Sequence, residues 1–209
     1  MDGTLLTLPI DYPSLKKELN ELLGREIESI METLRELDKS NDPRLYDAFK
    51  ILDKYELEAA EKLIIYDDTY RTLSWFRENN YALGLVTLQG FPVVEKIINR
   101  YFEGFFNGVI TRETSLYRRD QILKLLRLFS CNYPEKVIFV GDSYTDILAY
   151  RELKCRFYLI RRYKKKRKFV FYLKEKALMK LYKVNVVKSL DEVIKQVSSY
   201  DPFKNKIKN

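Results

Sequence analysis

The 209-residue chain has no histidine. That absence excludes Ser-His-Asp and Cys-His catalysis and removes the commonest transition-metal ligand. Its two cysteines, Cys131 and Cys155, form neither a zinc pattern nor a disulfide framework, and they fit a reducing, cytoplasmic setting. A metal site must therefore be built from carboxylates, which favour hard cations such as Mg²⁺. No apolar run approaches the ~18 residues that span a bilayer, so no membrane partner is expected. The opening "MDGTLL" lacks the basic flank and sustained apolar stretch of a signal peptide.

What is present suits a globular domain. Apolar residues at 46% and charged residues at 33% give the balance of a soluble chain, long enough for one domain or one domain with an insertion. The net charge of +8 suits anionic partners but is unevenly placed. The segment "RRYKKKRKF" carries Arg161, Arg162, Lys164, Lys165, Lys166, Arg167 and Lys168 without an acid. A solvated face is the ordinary reading of such a run, and contact with nucleic acid is the alternative.

Residues 13–66 carry leucine stripes at helical spacing. Leu15, Leu19, Leu22 and Leu23 fall on one face, with Ser14 as expected N-cap and Gly24 as stop. Ile27 to Leu37, Leu45 to Leu52 and Leu57 to Ile64 repeat the period, which predicts four short helices. From residue 67 the pattern changes. Short apolar runs "YALGLVT", "GVIT", "KVIFVGD", "RFYLI" and "VNVV" alternate with helical segments, as in a parallel sheet covered on both faces. In such sheets functional groups gather at the carboxyl ends of strands. That selects Thr87, the residues after Ile110, and Gly141-Asp142.

"VIFVGDSYTDILAY" is the most informative stretch. Asp142 ends a buried strand and Asp146 lies one turn into the next helix, so both carboxylates can converge on one cation or one cationic side chain. Helix capping alone is the plainer alternative. Together with "MDGTLL", "GLVT" and Arg118-Arg119, the ordered set resembles the haloacid dehalogenase (HAD) superfamily of phosphotransferases. Its motifs are a strand ending in Asp-x-Asp-Gly-Thr, a strand ending in Thr or Ser, a Lys or Arg, and a strand followed by GDSxxD.

The resemblance implies an α/β fold: a three-layer, Rossmann-like parallel sheet, residues 1–12 and 67–209, with an inserted all-helical C1 cap at 13–66. It implies a Mg²⁺-dependent phosphatase acting on a small phosphomonoester through an aspartyl-phosphate. Asp2 matches the second aspartate, which exchanges protons with the leaving oxygen and with water and lends its carbonyl to the metal. Thr87 would donate to a phosphoryl oxygen, beside Gln89 and the backbone N–H groups of "LQG". Arg118 aligns with the third motif, with Arg119 next to it. Asp142 would join Asp2 as a direct metal ligand, and Asp146 would be a ligand or an outer-shell partner. The nucleophile's position falls immediately before Met1. Three arrangements follow: an upstream start, a nucleophile lost in a protein that binds without turnover, or "TLLTLP" sliding into the vacant strand position. The alternative function is a catalytically silent binder using the basic insertion.

Overall fold

A computed structural model describes residues 1–153, 155–162 and 176–199. The first residues turn back on themselves, with the Thr4 and Leu5 N–H groups both donating to the Met1 carbonyl. Strand β1 (Leu6–Thr7) then pairs antiparallel with β2 (Ile64–Ile65), so the chain leaves and re-enters the core side by side. "TLLTLP" therefore does not slide into the parallel sheet.

Between those strands lies the helical insertion: α1 (Tyr12–Leu23), α2 (Ile30–Lys39) and α3 (Arg44–Ala60). The side chain of Asp11, not Ser14, caps α1, accepting from the Ser14 N–H at 3.1 Å. The expected third and fourth helices are one, because nothing between Leu52 and Leu57 breaks a helix. Leu15, Leu19, Leu34, Leu37, Ala48 and Leu52 bury their stripes against one another and form the insertion's own core. Residues after Ala60 return to the main core, where Leu63 and Ile65 pack.

The remaining chain alternates strand and helix. Strand β3 (Gly84–Val86) runs parallel to β4 (Gly108–Ile110), and β5 (Ile138–Gly141), β6 (Arg156–Ile160) and β7 (Asn185–Val187) form a second parallel group. Side chains alternate across these strands. Leu85, Tyr158 and Ile160 face a core shared with α4 (Thr69–Glu78), α5 (Phe91–Tyr101) and the last helix, α8 (Leu190–Ser199). Val86, Phe157 and Leu159 face the other way, toward α6 (Arg118–Leu128) and α7 (Tyr144–Leu153). Helices on both faces make three layers.

The two strand groups do not pair with each other. Between β3 and β5 lies an apolar slot of about 470 Å³, whose lining includes Leu85 and Val86, Ile138 and Val140, and Met1. Among the described residues no helix is long and apolar enough to cross a membrane.

Candidate active site

Carboxyl ends of β3, β4 and β5 meet at one edge of the sheet, and the turn at Met1–Leu5 lies over them. Gly3 has φ +76°, and a Cβ there would collide with the Asp142 carboxylate. Only glycine allows the first turn and the end of β5 to come this close. Asp142 thereby lies against the residue next to Asp2. Asp2 itself is half-buried, and its Oδ1 accepts from the Leu8 N–H at 2.9 Å.

Asp146 is 3% exposed and surrounded by donors. Arg118 Nε donates to its Oδ1 at 2.9 Å. Its Oδ2 accepts from the N–H groups of Asp142 and Ser143 at 3.1 and 3.0 Å and from Ser143 Oγ at 2.7 Å. These bonds cap α7 and tie Asp146 to Arg118 and to the Asp142–Ser143 backbone. Among the described residues no three carboxylate or thiol side chains gather at one point. Asp146 thus orients the backbone that carries Asp142. Arg161, from the end of β6, donates to the Asp142 carbonyl from the other side.

Of the two neighbouring arginines, Arg118 turns inward and Arg119 turns outward to Glu152 at 2.6 Å. Arg118 Nη1 also donates to Gln121 Oε1 at 2.6 Å. Gln121 is fully buried, and its Nε2 donates to the carbonyls of Thr87, Ser115 and Thr111 at 2.7, 2.9 and 3.2 Å. It ties the end of β3, the turn after β4 and Arg118 into one rigid unit. The sequence reading missed Gln121. The signal was its position, one helical turn after Arg118 and on the same face.

Thr87 is 1% exposed and donates through Oγ1 to Gln89 Oε1. The Gln89 N–H donates back to Thr87 Oγ1 at 3.2 Å, and the Gly90 N–H donates to Glu56 Oε2 at 2.9 Å. Two of the "LQG" N–H groups are thus engaged within the protein.

Two titratable groups report the crowding of charge. Burial first, and Arg118 second, lower the pKa of the Met1 α-amino group, while Asp142, Asp2 and Asp146 oppose that shift. Four motif side chains act on this one nitrogen. Tyr12, at the start of α1, has its phenol pushed up to about 12 by desolvation, then by Asp2, Glu56 and Asp142. Tyr12 is 51% exposed, and its hydroxyl stays neutral at pH 7.

Of the basic run, Arg161 and Arg162 are turned into the fold. Arg162 pairs with Asp68 at 2.7 Å, donates to the Thr4 carbonyl at 2.8 Å and lies over the Tyr66 ring. Neither arginine presents its head group as part of a basic surface. Lys164, Lys165, Lys166, Arg167 and Lys168 lie outside the described residues.

Comparison with known proteins bears on the family and the fold. The sequence profile of the haloacid dehalogenase-like hydrolases matches residues 7–160. No curated protein matches the chain. Among solved structures, a HAD phosphatase from Thermococcus onnurineus is 22% identical, with 94% of each chain covered and a TM-score of 0.60. A haloacid dehalogenase-like hydrolase from Streptococcus pneumoniae is 17% identical over 94% of this chain and 95% of its own, with a TM-score of 0.65. A HAD-superfamily hydrolase from Ehrlichia chaffeensis is 14% identical over 95% and 93%, with a TM-score of 0.59. At these identities the structures speak for the fold, while the profile match covers most of the chain and carries the assignment. The chain belongs to the haloacid dehalogenase-like hydrolase family.

Proposed function

We propose that this protein is a Mg²⁺-dependent phosphatase of a small phosphomonoester. The observation that carries the reading is the close approach of Gly3, next to Asp2, to the Asp142 carboxylate, with Arg118 bonded to Asp146 one turn further on. The Asp142 carboxylate and the carbonyl of Asp2 would hold Mg²⁺; both are hard oxygen donors, the type this ion takes. Bound there, the ion supplies positive charge against which two anions can approach. Arg118, held at its far side by Asp146 and Gln121, would take a phosphoryl oxygen, and Thr87 Oγ1 would exchange Gln89 for another.

The nucleophile in this reading is an aspartate joined to the Met1 nitrogen, at the foot of a strand that fills the slot between β3 and β5. The slot supports it: it is apolar, lies between two strands, and has Met1, Thr4 and Leu5 in its lining. The aspartate oxygen attacks phosphorus as the ester P–O bond breaks, and protonated Asp2 gives its proton to the departing alkoxide. Asp2 then takes a proton from water, whose oxygen attacks the same phosphorus, releasing phosphate and restoring the aspartate. A cap with α1 and α3 above the site excludes water and selects a small substrate.

The test is release of a chromogenic phosphate by a chain extended upstream with an apolar strand ending in Asp, with and without Mg²⁺. Release that needs Mg²⁺ and is lost in Asp142→Ala is expected. Equal behaviour of Asp142→Ala and its parent would contradict the reading.

A further inference from the structure

A second cluster of buried charge lies where α3 of the cap crosses the core. Arg112, just beyond β4, is 1% exposed. Its Nη1 donates to Glu56 Oε1 at 2.7 Å, and its Nη2 pairs with Asp53 and donates to the Phe49 carbonyl at 3.4 Å. The Phe49 ring lies 5.4 Å from the same guanidinium. Phe49, Asp53 and Glu56 stand at i, i+4 and i+7, so Arg112 grips one stripe of α3.

The same pair also reaches the loop after Thr87. Arg112 Nη1 donates to the Leu88 carbonyl at 3.4 Å, and the Arg112 N–H to the Gln89 carbonyl at 3.3 Å. Glu56 Oε2 accepts the Gly90 N–H. Each of the three residues following Thr87 is therefore held by Arg112 or Glu56. The approach is close: a Cβ on Gly90 would collide with Asp53 and Arg112. Apolar side chains could hold the cap without desolvating charge. They could not fix two carbonyls and an N–H in direction.

We infer that Glu56 and Arg112 are positioning residues, which shape the 88–90 loop and couple that shape to the docking of the cap on the core. The inference rests on the reading of Thr87 and Gln89 as the phosphate-binding groups. When α3 lifts, the Gly90 N–H loses Glu56, and Arg112 loses the two carboxylates that fix its head group beside the Leu88 carbonyl. The cap then does more than cover the substrate: its seating assembles part of the site beneath it.

Glu56 also makes the device titratable. The groups acting on it are Arg112 and the Gly90 N–H, which favour its charge, and Asp53, which opposes it. Tyr12 of α1 senses the Glu56 charge, and Glu113 stands beyond Arg112 with Oε1 at 3.8 Å from Nε. Burial outweighs the favourable partners and raises Glu56 to about 7.

Hydrogen–deuterium exchange on the purified chain tests this without reference to catalysis. Glu56→Gln and Arg112→Lys should each speed exchange of the amides at 88–91 about tenfold, together with those of α3, while β6 and α7 keep their protection. In the parent, loop exchange corrected for intrinsic rate should speed as pH rises from 4.5 to 7, because the docked state holds a Glu56 proton that the opened state has released, and Glu56→Gln should abolish that dependence. Loop exchange unchanged in both variants, or a loop that loosens while α3 does not, would overturn the inference. So would the same pH profile in Glu56→Gln as in the parent. Arg112→Met is the more drastic change; if it unfolds, the two near-isosteric variants still decide the matter. Phosphate release by an extended chain separates the two readings. Absence of release with the exchange pattern intact would sink the phosphatase and leave the clamp standing.

Discussion

Arg112 lies in the connection between β4 and α6 and Arg118 opens α6, yet the two bind carboxylates in different company. Asp146 meets Arg118 and three further donors, all supplied by its own short segment, Asp142 and Ser143. Glu56 meets Arg112 and one backbone N–H, and both come from another part of the chain. The first carboxylate is fixed locally and serves as scaffold. The second spans two units, has fewer donors than its burial demands, and ionises near neutrality. A pair of that kind can report whether two units are docked; a pair of the first kind cannot.

The comparison breaks most sharply at the catalytic edge. Asp142→Ala should lower phosphate release by an extended chain about 10³-fold or more, because it removes the carboxylate placed for the metal. Its unfolding in urea should change far less than its activity. At the cap junction the balance reverses. Arg112→Met leaves Glu56 and Asp53 facing each other in a buried site, and urea denaturation should register a loss of about 3–5 kcal/mol.

Acidity sharpens the contrast further. Glu56 is raised from 4.5 to about 7 in the folded chain, so the folded state holds a proton that the unfolded chain has released. Relative to Glu56→Gln, the parent's stability is full below pH 4.5 and falls as pH rises through 7. The fall is on the order of 3 kcal/mol at most. Denaturation of both proteins at pH 4.5 and pH 8 measures it. A difference that grows in the parent's favour at high pH would reverse the sign.

Smaller effects are expected from the two neighbouring arginines. Arg118→Met should lower release about 10²-fold, since a buried, aimed donor is lost. Arg119→Ala should change stability by no more than ~0.5 kcal/mol and leave release nearly unchanged, because its pair with Glu152 is exposed. Equal losses from both would mean that Arg118 does not face the substrate.

Much of this was legible in the chain itself. The alternation of "GLVT", "KVIFVGD" and "RFYLI" with helical stripes marked the parallel strands, and Asp142 follows the carboxyl end of β5 as the spacing implied. Local spacing was less reliable where no residue forces a break, so two expected cap helices are the single α3. Asp146 is placed where its position in "GDSYTD" implied, but its oxygens are taken up by Arg118 and the α7 cap, which spacing alone does not reveal. Gln121 and the Arg112–Glu56 pair were invisible for a related reason. A glutamate on a helix reads as a solvated face, and only the crossing of α3 over Gly90 makes it a buried partner of a residue far away in sequence.

The most direct trial of the account is diffraction from crystals of this chain grown with Mg²⁺ and inorganic phosphate. The account predicts an ion about 2.1 Å from an Asp142 carboxylate oxygen, with a phosphate oxygen in hydrogen-bond reach of both Thr87 Oγ1 and Arg118. An ion and a phosphate that settle elsewhere, with the edge between Asp2 and Asp142 left to protein contacts alone, would contradict it.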